Sequence, residues 1–156
     1  VEKNMTQIDE VETPIGIAFL QLEGDSLKAL RFETPFAGER ATKSLPAERV
    51  RAYFSGDLRA FDGLELAAGG TEFQRKVWQL LREIPPGETR TYGQLAAQIG
   101  SHPRAVGSAN GSNPIAIVVP CHRVIAKGGG MCGYAWGIER KQWLLHHEQA
   151  RLLRAG

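Results

Sequence analysis

"TYGQLAAQIGSHPRAVGSANG", residues 91–111, is the stretch on which the fold turns. Thr91 followed three positions later by Gln94 is a capping box, in which two otherwise orphaned backbone donors at a helix start are satisfied reciprocally. "YGQLAAQI" then supplies helix-forming residues, and Gly100 ends the helix. After "SH", Pro103 stands where a first-turn proline is favoured. The second helix is "PRAVGSANG". Two helices joined by a tight, glycine-containing turn make the helix-turn-helix pattern.

The second helix is unusual in its side chains. Ala105, Gly107, Ser108, Ala109 and Gly111 are all small, although glycine inside a helix costs about 1 kcal/mol. Such a stripped face suits close packing against another helix. It equally suits docking in a groove too narrow for bulky side chains. Arg104 is the long basic residue of this helix, too little for a base-edge code. Binding by this face is therefore expected to be sequence-independent and in the minor groove.

Upstream, "TEFQ" at 71–74 is a second capping box. Phe73, Val77, Leu80, Leu81 and Ile84 follow at helical spacing, and "PPGE" stops the helix. Further back, "GIAFLQL" and "LKALRF" flank the turn cluster "EGDS", which predicts a β-hairpin over residues 15–33. "PAERVRAYFSG" (46–56) reads as an amphipathic helix ended by Gly56. "DGLELAAGG" reads as a strand remnant running into a linker at Gly69–Gly70. The fold class expected is α+β. A small supporting domain spans 5–68, and a mostly helical domain carrying the helix-turn-helix spans 71–156.

Downstream lies "IAIVVPCHRVIAKGGGMCGYAWG" (115–137). "IAIVV" is expected to be a buried strand, with Pro120 ending it and presenting Cys121. Most cysteines of this kind are inert packing. Here His122 is available as a base, Arg123 would favour the thiolate, and the glycines leave access. Neighbouring residues on extended backbone point to opposite sides, so a bridging water or a sharp bend is needed to carry a proton from Cys121 to His122. A carboxylate should orient the imidazole, and Glu148 in "GIERKQWLLHHE" is the candidate. "HHE" at 146–148 lacks the paired histidines of a helical zinc motif, so His146 and His147 read as helix surface. His102 reads as a turn residue facing solvent or a phosphate, and Cys132 as a spare loop thiol. No metal or cofactor is called for.

The bulk properties agree. The chain has 156 residues, 42% hydrophobic and 23% charged, enough for a real core. Its polar, acidic N-terminus does not read as a secretory signal, and no apolar run approaches a membrane span. Two cysteines suit neither a disulfide scaffold nor a closed zinc site, which leaves a reducing, cytoplasmic setting. Residues 1–70 carry 8 Lys and Arg against 12 Asp and Glu, whereas residues 71–156 carry 11 against 5. The basic second half fits a polyanionic partner.

"NPIAIVVPCHRVI", the glycine loop, "GYAWG" and "ERKQWLLHHE" closely resemble the O6-alkylguanine-DNA alkyltransferases, the methylated-DNA–protein-cysteine methyltransferases. "GETRTYGQLA" and "RAVGSANGSNP" extend the resemblance almost continuously over 71–148. It implies a small N-terminal ribonuclease-H-like domain and a monomer acting on double-stranded DNA. It also implies base flipping and irreversible alkyl transfer from O6-alkylguanine to Cys121, with O4-alkylthymine left open as a second lesion. His122 would take the thiol proton through a water, Glu148 would orient His122, and Asn113 would brace the cysteine segment. Tyr92 would donate to the purine and crowd a phosphate. Arg104 would fill the vacated stack, on a helix face that includes Ala105, Gly107 and Ser108. The carbonyls of Cys121 and Val124 would accept from the guanine amino group. Tyr134 and the Ala135 amide would sit at the alkylated oxygen. Ala135 replaces a hydroxyl residue of many members, and Trp136 replaces a glycine, which should narrow the pocket. A non-catalytic binder of alkylated DNA, a helix-turn-helix regulator and a multiple-turnover cysteine hydrolase are the competing readings.

Overall fold

The structure, a computed structural model, describes residues 6–130 and 133–155. It is a mixed α+β chain made of two compact units. One comprises residues 6–68 with 114–116, and the other 69–113 with 117–130 and 133–155.

The first unit is built on a four-stranded sheet. Strands β1 (Thr6–Thr13), β2 (Gly16–Glu23) and β3 (Ser26–Arg31) form an antiparallel meander, and β4 (Glu39–Arg40) adds in parallel beside β1. The spatial order is β3-β2-β1-β4. Both hairpins use two-residue connections, and Gly24, with φ of 61°, supplies the left-handed position of the second. Helix α1 (Leu45–Phe54) packs against β1 and β2, burying Ala47, Val50 and Tyr53. Leu20, Leu22, Leu27, Leu30 and Phe32 complete this core.

Strand β1 was not expected from the sequence. Its alternation is broken because a carboxylate, Asp9, occupies a buried position two residues before Val11. Asp9 Oδ2 accepts from the Ser44 hydroxyl at 2.7 Å, and Ser44 Oγ in turn accepts from the Ala47 amide at the start of α1. The buried charge is tolerated because it is hydrogen-bonded.

The second unit opens with α2 (Glu72–Arg82). Its capping box is complete: Gln74 N donates to Thr71 Oγ1 at 3.0 Å, and Thr71 N to Gln74 Oε1 at 2.9 Å. Strand β5 (Arg90–Thr91) leads directly into α3 (Tyr92–Ile99), whose capping box, Thr91 with Gln94, is likewise complete. Gly100 closes α3 in the left-handed region at φ 65°. Helix α4 (Pro103–Gly111) begins after a three-residue connection and packs on α3 and α2. The Trp78 indole donates to the Ala109 carbonyl at 2.8 Å, joining α2 to α4.

"IAIVV" is not a strand. Ile115 makes one isolated bridge to Leu30, and the following residues fold into turns, with Ile117 at φ 73°. All five residues are buried. The apolar run reports burial and not extension, a distinction that periodicity in so short a window does not make. After Pro120 comes a 3₁₀ turn, Cys121–Arg123, then β6 (Val124–Ile125) and α5 (Ile138–Ala155). β6 pairs in parallel with β5, Arg90 opposite Val124 and Thr91 opposite Ile125. That pairing sets the start of α3, at Tyr92, beside the end of the Cys121 turn. No described helix is long and apolar enough to cross a membrane.

Candidate active site

Three segments of the second unit converge on Cys121. The 3₁₀ turn supplies Cys121, His122 and Arg123. The residues after α4 supply Asn113, and α5 supplies Lys141 and Glu148. Asn113 Nδ2 donates both to the Val119 carbonyl at 2.8 Å and to Cys121 Sγ at 3.2 Å. One carboxamide thus ties the turn before the cysteine to the sulfur itself.

Behind the cysteine is a buried ionic cluster. His122 and Glu148 are both 0% exposed, and His122 Nε2 lies 2.8 Å from Glu148 Oε2. Arg123 grips the same carboxylate in a fork, Nε to Oε1 at 2.9 Å and Nη2 to Oε2 at 2.8 Å. Its Nη1 donates to the Ile84 carbonyl at 2.7 Å. Burial alone would raise the Glu148 pKa, but the charges and hydrogen bonds of His122 and Arg123 outweigh it and hold the carboxyl well below its usual range. Glu148 is therefore an acceptor, so His122 carries its proton on Nε2. Burial also presses the imidazole below its ordinary value, against the pull of Glu148, and keeps it neutral. Its Nδ1 is left as a basic nitrogen with no hydrogen-bond partner among the described residues.

The expected role of Arg123 needs correction. Its guanidinium is committed to Glu148 and Ile84 instead of favouring a thiolate. Burial pushes the Cys121 thiol up to about 11, despite the Asn113 hydrogen bond and the charge of Lys141, both of which lower it. Lys141 is the cation that acts on the sulfur. It is fully buried and donates to the Val124 carbonyl at 2.7 Å. At rest the residue is a thiol. A small alkylating reagent such as iodoacetamide is expected to modify Cys121 slowly at pH 8, when only about one thiol in a thousand is ionised. Unfolding in urea should accelerate modification by about 100-fold or more. Peptide mapping of the modified chain checks this, and equal rates in both states would contradict a raised pKa.

The cysteine faces a cleft of about 300 Å³ lined by Tyr92, Gly107, Asn110, Asn113, Tyr134 and Trp136, with Gly111, Gly133 and Ala135. A turn closed by Gly137 N to Tyr134 O, at 3.0 Å, carries three of these residues. Burial, reinforced by Cys121, raises the Tyr134 phenol well above its ordinary value.

Most sequence-derived candidates thus meet: Cys121, Asn113, Tyr92, Tyr134, Ala135, Trp136 and Gly107 at the cleft, and His122 and Glu148 behind it. Val124 is buried beside them, its carbonyl engaged by Lys141. Arg104 and Ser108 are exposed on α4, and Ala105 is half-buried. His146 is exposed as expected, but His147 is buried and stacked on Trp143 at 4.7 Å, so it is not helix surface. His102 is exposed at the start of α4. Cys132 lies outside the described residues. Among those residues, no cluster of three His, Cys, Asp or Glu could hold a metal. Asn110 and Lys141 were not anticipated, since neither stands in the Cys-His motif.

Residues 72–150 match the family model described as 6-O-methylguanine DNA methyltransferase, DNA binding domain. The chain is 55% identical over 120 residues to a methylated-DNA–protein-cysteine methyltransferase of Salmonella typhimurium, covering 74% of this chain and 70% of that one. It is 45% identical over 155 residues to one of Mycolicibacterium paratuberculosis, covering 93% of each. The crystal structure of Mycobacterium tuberculosis O6-methylguanine methyltransferase superposes with a TM-score of 0.85 at 43% identity, covering 94% of each chain. The same protein solved in complex with DNA gives a TM-score of 0.85, covering 93% of this chain.

Proposed function

Because this chain belongs to the methylated-DNA–protein-cysteine methyltransferase family, we propose that it repairs DNA by direct reversal, taking the alkyl group of O6-alkylguanine onto Cys121 in a single turnover. The observation that carries this reading is the cleft itself: a buried thiol held by Asn113, with a neutral imidazole backed by an ionised carboxylate.

Cys121 gives its proton to His122 Nδ1 through a bridging water. The thiolate attacks the alkyl carbon, so an S–C bond forms as the C–O bond breaks. The guanine oxygen leaves with the bonding pair, hydrogen-bonded by Tyr92 and the Ala135 amide. The proton held by His122 balances the one the guanine regains. Glu148 and Asn113 position the imidazole and the sulfur. Tyr134 sits at the alkylated oxygen, and the carbonyls of Cys121 and Val124 accept from the guanine amino group. A thioether has no easy reversal, so one molecule repairs one lesion.

DNA engagement is assigned to α4, entering the minor groove without sequence preference. Arg104 and Ser108 are exposed there, beside Ala105 and Gly107. A Cβ at Gly111 would meet nothing within 4 Å, and one at Gly107 only the Tyr92 ring at 3.8 Å. Packing does not demand these glycines, which favours the groove over the helix-packing alternative. Flipping the lesion costs a few kcal/mol, offset by Arg104 in the vacated stack. Strands β1–β3 extended by a parallel β4 support a ribonuclease-H-like reading of the first unit. We read the protein as a cytoplasmic monomer with no cofactor.

Intact-mass spectrometry with duplex DNA carrying one O6-methylguanine tests the proposal. One methyl on Cys121, saturating at one equivalent, is expected. Turnover beyond one equivalent would mean a hydrolase, and DNA binding without mass gain a non-catalytic binder.

Trp136 narrows the cleft. Its replacement by Gly should speed reaction with free O6-benzylguanine by about tenfold or more, while O6-methylguanine in DNA is little affected. Single-turnover rates on both substrates decide it, and unchanged benzyl transfer would remove the steric argument.

A further inference from the structure

The cleft contains a polar group that neither the fold nor the transfer chemistry described above uses. Asn110 stands on α4, one turn before Asn113, and is 8% exposed. Its side chain lines the cleft with Cys121. Its Oδ1 is fully buried and has no hydrogen-bond partner among the described residues. The Trp78 indole donates to the Ala109 carbonyl and the Asn113 amide to Val119 and Cys121, and the Tyr134 hydroxyl of the same cleft is likewise buried with no hydrogen-bond partner among the described residues. The helix end does not need the side chain, because its carbonyls are capped by backbone amides. A buried acceptor without a donor is costly, and an apolar side chain of equal volume would avoid the cost. The carboxamide is understandable if the occupant of the cleft brings the missing donor.

We propose that Asn110 is a specificity-determining residue whose carboxamide oxygen accepts a hydrogen bond from a donor on the alkylated nucleotide held against Cys121. The inference rests on the cleft being the alkylated-base pocket. Two parts of such a nucleotide can donate: the 2-amino group of guanine, one of whose two hydrogens would then go to Asn110 while the Cys121 and Val124 carbonyls share the other, and a hydroxyl on a functionalised adduct. O6-alkylation removes the donor at N1, and an O4-alkylthymine with a plain hydrocarbon adduct offers none. Asn110 would then favour guanine lesions, or hydroxyl-bearing adducts, over isosteres that leave its oxygen unpaired.

The test compares single-turnover rates of Cys121 alkylation within two substrate pairs, for the wild-type chain and for Asn110→Leu. The first pair is O6-methylguanine and O6-methylhypoxanthine in duplex DNA, which differ by the 2-amino group. The second is O6-(2-hydroxyethyl)guanine and O6-propylguanine, which match in size and differ by the hydroxyl. In one pair, the wild-type preference for the donor-bearing member should exceed that of Asn110→Leu by about fivefold, the value of one neutral hydrogen bond. The pair that responds names the donor. Each preference is a ratio within one protein, so a general loss of folded material cancels, and Asn110→Ala provides the same ratio if the Leu variant is insoluble. Equal preferences in wild type and variant for both pairs would overturn the role of Asn110 while leaving the transferase intact. Failure of the wild-type chain to methylate Cys121 from O6-methylguanine would overturn the transferase reading, and this inference with it.

Discussion

Cys121→Ser is expected to abolish alkyl transfer, by about 10⁴-fold or more, while leaving DNA binding within about twofold of wild type. A rate loss of that size corresponds to about 5.4 kcal/mol of lost transition-state stabilisation. The serine hydroxyl is nearly the same shape and can still accept from Asn113, whose amide already bridges Sγ and the Val119 carbonyl. What disappears is the soft, ionisable sulfur. Thiolate is the competent nucleophile, and a hydroxyl ionises far less readily than even a thiol raised to about 11. His122 Nδ1 can draw a proton from the thiol as substrate enters, but has too little basicity to ionise a serine. The check is a mass assay for methyl gain beside a gel-shift titration of the same protein. Methyl accumulating at one equivalent on the Ser variant would mean that another residue is the acceptor.

Glu148→Ala should have the largest effect on stability. The carboxylate is completely buried and receives hydrogen bonds from Arg123 Nε, Arg123 Nη2 and His122 Nε2. Removing it strands a guanidinium away from water with the Ile84 carbonyl as its remaining hydrogen-bond partner among the described residues. Breaking a buried ion pair in this way costs about 3–5 kcal/mol. Whole domains are stable by only about 5–15 kcal/mol, and each kcal/mol moves Tm by about 2–4 °C at this size. A fall of roughly 10 °C is expected, with transfer reduced because the His122 tautomer is no longer fixed. Glu148→Gln should recover part of the stability, since the amide oxygen still accepts.

The pH dependence has a definite sign. Glu148 titrates lower in the folded chain than its ordinary 4.5, so the unfolded chain binds more protons as pH falls below that value. Its contribution is present above pH 4.5 and lost as pH falls through the folded pKa. His122 acts in the same direction, because its folded pKa lies below 6.5 and the unfolded imidazole protonates first. Wild-type stability should therefore begin to decline below pH 6.5, and Glu148→Ala should lose the steeper component below pH 4.5. Urea titrations across this range measure both slopes. A wild-type stability that is flat from pH 7 to pH 4 would contradict the buried, neutral histidine.

Legibility in the sequence followed the range of the interaction. Both capping boxes, at Thr71 with Gln74 and Thr91 with Gln94, were readable because each is complete within four residues. Gly100 and Pro103 marked the turn between α3 and α4 for the same reason. The Cys-His pair was visible as a local motif, and Glu148 could be named only as a carboxylate on a later helix. Strand β1 was hidden because Asp9 puts a charge where an apolar residue would signal the buried face, and its partner is 35 positions away. "IAIVV" was misread because a buried turn and a buried strand have the same composition. Arg123 was expected to act on the cysteine beside it, but its partner, Glu148, lies 25 residues on. Asn110 and Lys141 left no local trace, since their surroundings are set by tertiary contacts.

The bond between Asp9 and Ser44 also makes the sheet self-checking. A strand that slips by one residue turns all of its side chains to the opposite face. If β1 slid by one position along β2, Asp9 would leave the Ser44 hydroxyl, and Glu10, a methylene longer, would point inward in its place. α1 would lose the partner of its capping serine in the same event. The misaligned pairing would thus carry two penalties at once, one in the strand and one at the helix start. A hydrophobic residue at position 9 would remove that proofreading, leaving a sheet that is easier to form in the wrong register.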